Sequence, residues 1–313
     1  MKKIIVSVVI SLIFLSACNT NAQTTLAEKL GFEKDAKLLI VHADDTGMCN
    51  SENMATKAAL ESGAVSSASI MMPCPWADDF IAWALNHPDA DVGIHLTLTA
   101  EWEHYRWDGV LPADKIPSLL DKDGYLPRSA QELAKQADLR EVEAELRAQI
   151  DRAIALGIKP THLDSHMATM LQTPELIRLF LNLGKEYRIP NMLSQYMANK
   201  YNLLQDENYK DLLFLDNLSF LNGLPPEKWD SEYRKIFKEM KPGLSQLILH
   251  AAFDNIELQS ITVNHTGAGS VWRQNDYDFV NSKIFRSMLK EYNIRVITWG
   301  AIQKVLFNDE IKK

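Results

Sequence analysis

Short apolar runs alternate with stretches of helical periodicity along this chain, and that alternation limits the fold more than any other feature. Leu38 to His42, Ser67 to Met72, Val92 to Leu98, His162 to Asp164, Gln246 to His250 and Arg295 to Trp299 read as strands. Between them the spacing predicts helices over Ser51 to Ser62, Trp76 to Asn86, Leu139 to Leu156, Thr173 to Tyr187, Pro226 to Met240 and Tyr277 to Tyr292. Some helix ends carry their own signals. Thr173 with Pro174 in the first turn opens one helix, and Gly157 closes another. Strand and helix in repeated succession build a parallel sheet covered by helices. The expected class is α/β, and an open doubly wound sheet and a closed or distorted barrel both suit 313 residues. No repeat or long linker divides residues 30–313, which read as one domain. Residues 100–137 break the rhythm with Trp, Tyr, Pro and Asp, and a long loop that follows a strand is more often functional than idle.

The first residues are of another kind. Lys2 and Lys3 precede an apolar stretch from Ile4 to Leu15, short for a bilayer span and shaped as an export signal. It ends in Leu15-Ser16-Ala17-Cys18, which resembles the lipobox of bacterial lipoproteins. The resemblance implies a signal peptide over 1–17, lipid on Cys18, a polar tether over 18–29, and an exported, membrane-anchored protein facing the periplasm. The alternative is an ordinary signal peptide cut near Ala22. Removing Lys2 and Lys3 from the 33 basic side chains leaves 31 against 41 acidic ones, a net charge of -10. An acidic chain without a basic cluster is poorly suited to nucleic acid and better suited to neutral or cationic substrates. Cys49 and Cys74 either pair or remain buried thiols.

Candidate chemistry lies at strand ends. Asp44 and Asp45 are adjacent, and two neighbouring carboxylates repel unless a cation or a proton sits between them. One acid can cap the following helix; two make that explanation incomplete. His95, His166 and His250 follow at intervals of 50, 71 and 84 residues from Asp45, each in a different strand–helix unit. In parallel α/β folds the C-terminal strand ends converge on one face. Two imidazoles and one carboxylate suit zinc or another divalent ion with positions left open, although the same set serves non-haem iron. In Pro160-Thr-His-Leu-Asp-Ser-His166, alternation places His162, Asp164 and His166 on one face. Asp164 either orients a ligating histidine or touches substrate. His42 and His162 read as satisfied buried histidines, and His87 and His104 as surface residues. His265 reads equally as a loop residue or a substrate contact. The loop Trp102-Glu-His-Tyr-Arg-Trp107 offers Trp102, Tyr105 and Trp107, with Arg106, either for stacking on sugar rings or for anchoring the loop. Trp272, Arg273 and Asp276 form a second polar–aromatic cluster.

Three segments together resemble one family. His42-Ala-Asp-Asp-Thr-Gly47, Gly93-Ile-His-Leu-Thr-Leu98 and Pro160-Thr-His-Leu-Asp-Ser-His166 are similar to the signature segments of the YdjC-like carbohydrate deacetylases, which include chitooligosaccharide deacetylases. The resemblance implies a distorted (β/α) barrel and one divalent metal ion, magnesium or zinc, on Asp45, His95 and His166. It also implies Asp44 as catalytic base. Met167-Ala-Thr-Met170 stands where the family continues with further histidines, Thr46 replaces a phenylalanine, and His250-Ala-Ala replaces His-Pro-Gly. These departures suggest a subgroup with its own substrate. The expected function is metal-dependent removal of N-acetyl groups from an acetylated amino sugar or oligosaccharide, with His250 as candidate acid toward the leaving amine and Asp44 recycling the proton as the alternative. An O-acetyl carbohydrate esterase and a non-catalytic, lipid-anchored carbohydrate-binding protein are the alternatives. Adjacent acids do not match the well-separated pair of a glycosidase.

Overall fold

The strand that carries the acid pair, β1 (Lys37–Thr46), is buried from Leu38 to its end. This is seen in a computed structural model that describes residues 24–221, 224–265 and 267–307. A run buried on both faces is what a parallel sheet flanked by helices requires. β2 (Ser67–Ile70), β3 (Val92–Leu96) and β4 (Leu163–Ser165) extend the sheet on one side of β1, and β5 (Asn217–Ser219) and β6 (Gly243–Leu249) on the other, in the order β4-β3-β2-β1-β6-β5. β7 (Ile294–Val296) pairs with the first three residues of β1. Every one of these pairings is parallel. The sheet ends approach each other through residues 190–195, which make parallel bridges from Leu163 to Asn191 and from Ser194 to Leu215. The result is the distorted barrel of the α/β class.

Helices surround the sheet, most of them outside it, with the first and last contributing Ala27, Trp299 and Ile302 to the interior cluster. They are α1 (Leu26–Lys29), α2 (Asn50–Glu61), α3 (Ala77–Asn86), α4 (Ala130–Gln136), α5 (Leu139–Ala155), α6 (Pro174–Tyr187), α7 (Gln195–Lys200), α8 (Trp229–Glu239), α9 (Ile256–Ile261), α10 (Ser270–Asn281), α11 (Lys283–Glu291) and α12 (Trp299–Phe307). The expected caps are present. The Thr173 hydroxyl accepts from the Leu176 N–H at the start of α6, and Gly157 has φ +99° just past α5. The single helix expected over Tyr277 to Tyr292 is two, because Ser282 is extended and caps α11 through the Phe285 N–H. The expected last strand stops at Val296, and Trp299 opens α12 instead. No described helix is long and apolar enough to cross a membrane. The expected signal peptide and the tether up to residue 23 lie outside the described residues. Leu26–Lys29 are not tether: Thr25 and Glu28 cap them reciprocally into a helical turn that buries Ala27.

Two apolar clusters show which way β1 faces. Leu38 and Ile40 pack inside the barrel with Leu215, Leu244, Ile297 and Trp299. Leu39, Val41 and Ala43 pack outward against the helices, in the larger core with Ala59 and Phe80. Alternation therefore places His42 and Asp44 on the interior face, above an apolar floor. By the same rule Asp45 would point away from them.

Candidate active site

The rule is broken at Asp45. Pairing between β1 and β2 slips between Ala43 and Thr46, where β1 carries one residue more than β2, and Asp45 has φ +64°. An extra residue in a left-handed conformation re-aims a side chain. Such strain in a non-glycine residue is concentrated at functional sites. This bulge lets adjacent residues share one cleft of about 630 Å³, whose lining includes Asp44, Asp45, His95, His166, His250 and Arg273.

Three donors converge there from β1, β3 and the end of β4. Asp45 Oδ1 is 3.3 Å from His95 Nε2 and 3.2 Å from His166 Nδ1, and the two nitrogens are 3.2 Å apart. Each ring is held from its far side. Asp164 Oδ1 accepts from His95 Nδ1 at 2.8 Å, and Glu101 Oε2 accepts from His166 Nε2 at 3.0 Å. With those nitrogens protonated, the facing ones carry lone pairs, and Asp45 Oδ1 has no hydrogen-bond partner. Two lone pairs and a carboxylate oxygen turned on one point suit a cation. Bonds of roughly 2.1 Å at angles of about 90° to 110° separate donors by about 3.0 to 3.4 Å, so the triangle fits a divalent ion. Protonation follows the same field. Burial opposes a charge on His166, but Glu101 and Asp45 outweigh it and raise its pKa to about 9. Burial would raise the Asp45 carboxyl, yet Arg273 and the two imidazoles hold it well below the usual carboxylate range.

Asp44 stands beside this triangle. Its Oδ1 lies 2.9 Å from His42 Nε2 without forming a geometrically good hydrogen bond. His42 Nε2 instead faces Asp164 Oδ2 at 2.9 Å, and the Ser69 hydroxyl donates to the same oxygen at 2.8 Å. Burial works against a proton on His42, but Asp164 and Asp44 raise its pKa to about 9. Asp164 is fully buried and does not line the cleft. Of its two expected roles, orientation is the one its contacts show.

The aromatic loop divides. Trp102 and His265 line the cleft, their rings edge-to-face at 4.7 Å. Tyr105, Arg106 and Trp107 do not line it, contrary to their expected contact with substrate. The Tyr105 hydroxyl donates to the Met48 carbonyl, Arg106 to Asp121 and the Leu126 carbonyl, and the Trp107 indole to the Thr99 carbonyl. They anchor the loop, because Arg106 ties its two ends together while Tyr105 and Trp107 fasten it to Met48 after β1 and Thr99 after β3. Arg273 reaches the cleft but is committed to Asp45 Oδ2 at 3.0 Å and to Glu52, with its guanidinium over Trp102. His250 sits just past β6 on the cleft wall. Its backbone N–H donates to Asp276 and its Nδ1 is unpartnered. Burial lowers its pKa, with Asp45 opposing. His162 stacks on Trp299 and lies under Gly93, where a Cβ would approach its ring to 2.4 Å. Cys49 and Cys74 are buried and unpaired.

His42, read from the sequence as a satisfied buried histidine, is buried against Asp164 and Ser69 beside the site, and Glu52 and Glu101 join it unforeseen. His42 was legible, since it shares a strand face with Asp44 two residues on. Glu101 and Glu52 carry no local signal, because a loop and a helix bring them in from outside the strand pattern.

A family model described as YdjC-like protein matches residues 38–291. A carbohydrate deacetylase of Thermus thermophilus is 31% identical over 292 residues, which cover 90% of this chain and 99% of that protein. A carbohydrate deacetylase of Thermoanaerobacter pseudethanolicus is 24% identical over 85% of this chain and 100% of its own. A chitooligosaccharide deacetylase of Yersinia pestis is 31% identical over 54% of this chain and 64% of its own. Among solved structures, an Enterococcus faecalis protein described as a cellobiose-phosphate cleavage protein superposes with a TM-score of 0.72 at 22% identity, over 85% of this chain and 99% of that one. At that identity the likeness speaks for the fold.

Proposed function

The chain belongs to the YdjC-like family, and from that footing we propose that it removes N-acetyl groups from an acetylated amino sugar or short oligosaccharide. The observation that carries this reading is the Asp45–His95–His166 triangle with a second carboxylate, Asp44, beside it in the same cleft. Full-length relatives named carbohydrate deacetylases support it.

Asp45, His95 and His166 are the residues that would hold one divalent ion. When bound, it supplies a Lewis acid that stabilises negative charge on a carbonyl oxygen and eases deprotonation of water. The other residues work around that chemistry. Asp164 and Glu101 fix the two rings, so that the ligating nitrogens need no reorganisation. Asp44 takes a proton from the attacking water, and His42 Nε2 lies 2.9 Å from its Oδ1. His250 delivers a proton to the departing amine. Its pKa is lowered by burial, so the proton it delivers is the one Asp44 took from water, passed on before the amine leaves. The chain is further proposed to be exported and held at a membrane through lipid on Cys18.

The test is acetate release from N-acetylated and O-acetylated sugars by metal-loaded protein, with a chelated control. Release from the amides that stops on chelation is expected. Asp44→Asn should lower turnover about 10²- to 10⁴-fold, the usual worth of a positioned base, while metal content stays near normal. Turnover within a few-fold of the unmodified protein would end the assignment of Asp44.

A further inference from the structure

The cleft lining is of two kinds. One is the polar group described above. The other is an apolar wall that includes Met167, Leu171, Met197, Leu218, Ile248 and Phe220, whose ring lies 6.5 Å from that of His250. Three of these stand open at the surface: Met167 is 44% exposed, Leu218 39% and Phe220 49%. An apolar lip continuous with a catalytic cleft marks a binding surface rather than leftover core.

The lip is built against backbone preference. Met167 (φ 50°, ψ 23°) and Ala168 (φ 54°, ψ 33°) are consecutive left-handed residues directly after the ligand position His166. Neither is glycine, so the conformation is unfavourable for both. It is held by its surroundings. The Ser165 hydroxyl oxygen accepts from the Met170 N–H at 3.0 Å, the Thr169 hydroxyl donates to the His166 carbonyl at 3.1 Å, and the Gln172 amide donates to the Ala168 carbonyl at 3.1 Å. Strain secured this way, with both residues lining the cleft, is the pattern of a substrate clamp.

We propose that this wall binds an alkyl group of the substrate, so that the enzyme acts on an amino sugar carrying hydrocarbon beside the scissile amide. The inference rests on the amide-hydrolysing core of the deacetylase reading and specifies an apolar group on its substrate. Sugar hydroxyls need hydrogen-bond partners, which Met, Leu and Ile side chains do not supply. Flat aromatic rings are the apolar surface that suits a pyranose, and Trp102, Trp272 and Phe220 supply it in the same lining. Thioether and branched aliphatic side chains mould to a flexible chain. The alkyl group has two sources, an N-acyl chain longer than acetyl or an alkyl aglycone.

The experiment compares kcat/KM for acid release from N-acetyl- and N-hexanoylglucosamine, and from the methyl and octyl glycosides of N-acetylglucosamine, below micelle-forming concentrations. Each methylene that reaches the wall is worth about a three- to fourfold gain, so a gain of at least about tenfold is expected in one arm, and that arm identifies the source. The double variant Leu218→Asn/Phe220→Ser changes exposed positions and should cut that ratio below about threefold. A ratio kept in the variant overturns the assignment to this wall. Acetate release with no alkyl gain in either arm overturns the inference and leaves the deacetylase reading standing. No acid release from any substrate sinks the deacetylase reading instead. In that case binding of octyl against methyl N-acetylglucosaminide, followed by tryptophan fluorescence, decides the wall: tighter octyl binding supports it and equal binding overturns it.

Discussion

Replacing Asp164 by Asn tests how the site is held together. Three hydrogen bonds end on this buried carboxylate: His95 Nδ1 at 2.8 Å on one oxygen, and His42 Nε2 at 2.9 Å and Ser69 Oγ at 2.8 Å on the other. Asparagine has one carbonyl oxygen and one NH₂ to offer. If the oxygen faces His95, the NH₂ meets His42 and Ser69. The serine hydroxyl can turn and accept, but the His42 bond is lost, at about 1.5 to 3 kcal/mol for a bond to a charged group. If the amide flips, the NH₂ meets His95 Nδ1. The ring must then change tautomer, and Nε2 carries a proton where it should carry a lone pair. The first outcome leaves His95 a neutral carbonyl in place of a carboxylate and the second turns its tautomer, so both weaken the ligand, and loss of an orienting partner typically costs about 10- to 100-fold in affinity. Metal titration by calorimetry, with denaturant unfolding in chelator, separates the two effects. Ser69→Ala is the control, and should cost about 1 kcal/mol of stability with metal affinity unchanged. Asp164→Asn with metal affinity within twofold of the unmodified protein would refute the orienting role.

The metal-free protein should lose stability as pH rises. The folded pKa values of His42 and His166 are raised to about 9, so their contribution is fully present below the ordinary imidazole value near 6.5 and disappears as pH passes 9. Urea midpoints in chelator that stay level from pH 6 to 9 would contradict this. Tyr105→Phe should lower stability by about 1 kcal/mol through loss of the bond to the Met48 carbonyl, with KM unchanged. A large rise in KM would return Tyr105 to the substrate. Cys18→Ser should move the protein from the membrane fraction to the soluble one, and fractionation with an unchanged pellet would remove lipid as the anchor.

Much of the architecture was legible because it follows from local pattern. The buried run of β1, the capped ends of α5 and α6 and the regular strand–helix succession all announce themselves within a few residues. The convergence of Asp44, Asp45, His95, His166 and His250 was expected because C-terminal strand ends of a parallel sheet meet on one face, and the choice of Asp45, His95 and His166 among them came from the family resemblance. What escaped was non-local. The split at Ser282 needed the packing of two helices rather than one period. Tyr105, Arg106 and Trp107 carry the composition of a sugar-binding loop, yet internal hydrogen bonds turn them away from the cleft. Glu101 reaches His166 across 65 residues, and no spacing rule anticipates such a pair.

Residue order alone determined the α/β class, the strand that ends in two acids, and the polar faces of β3 and β4, because period-2 and period-3.6 patterns are properties of neighbouring side chains. Only the folded chain decided that Asp44 and Asp45 serve the same cleft. Adjacent residues on a regular strand point to opposite sides. It takes the extra residue in β1, a left-handed Asp45, and the guanidinium of Arg273 arriving from α10 to hold the second carboxylate beside the first.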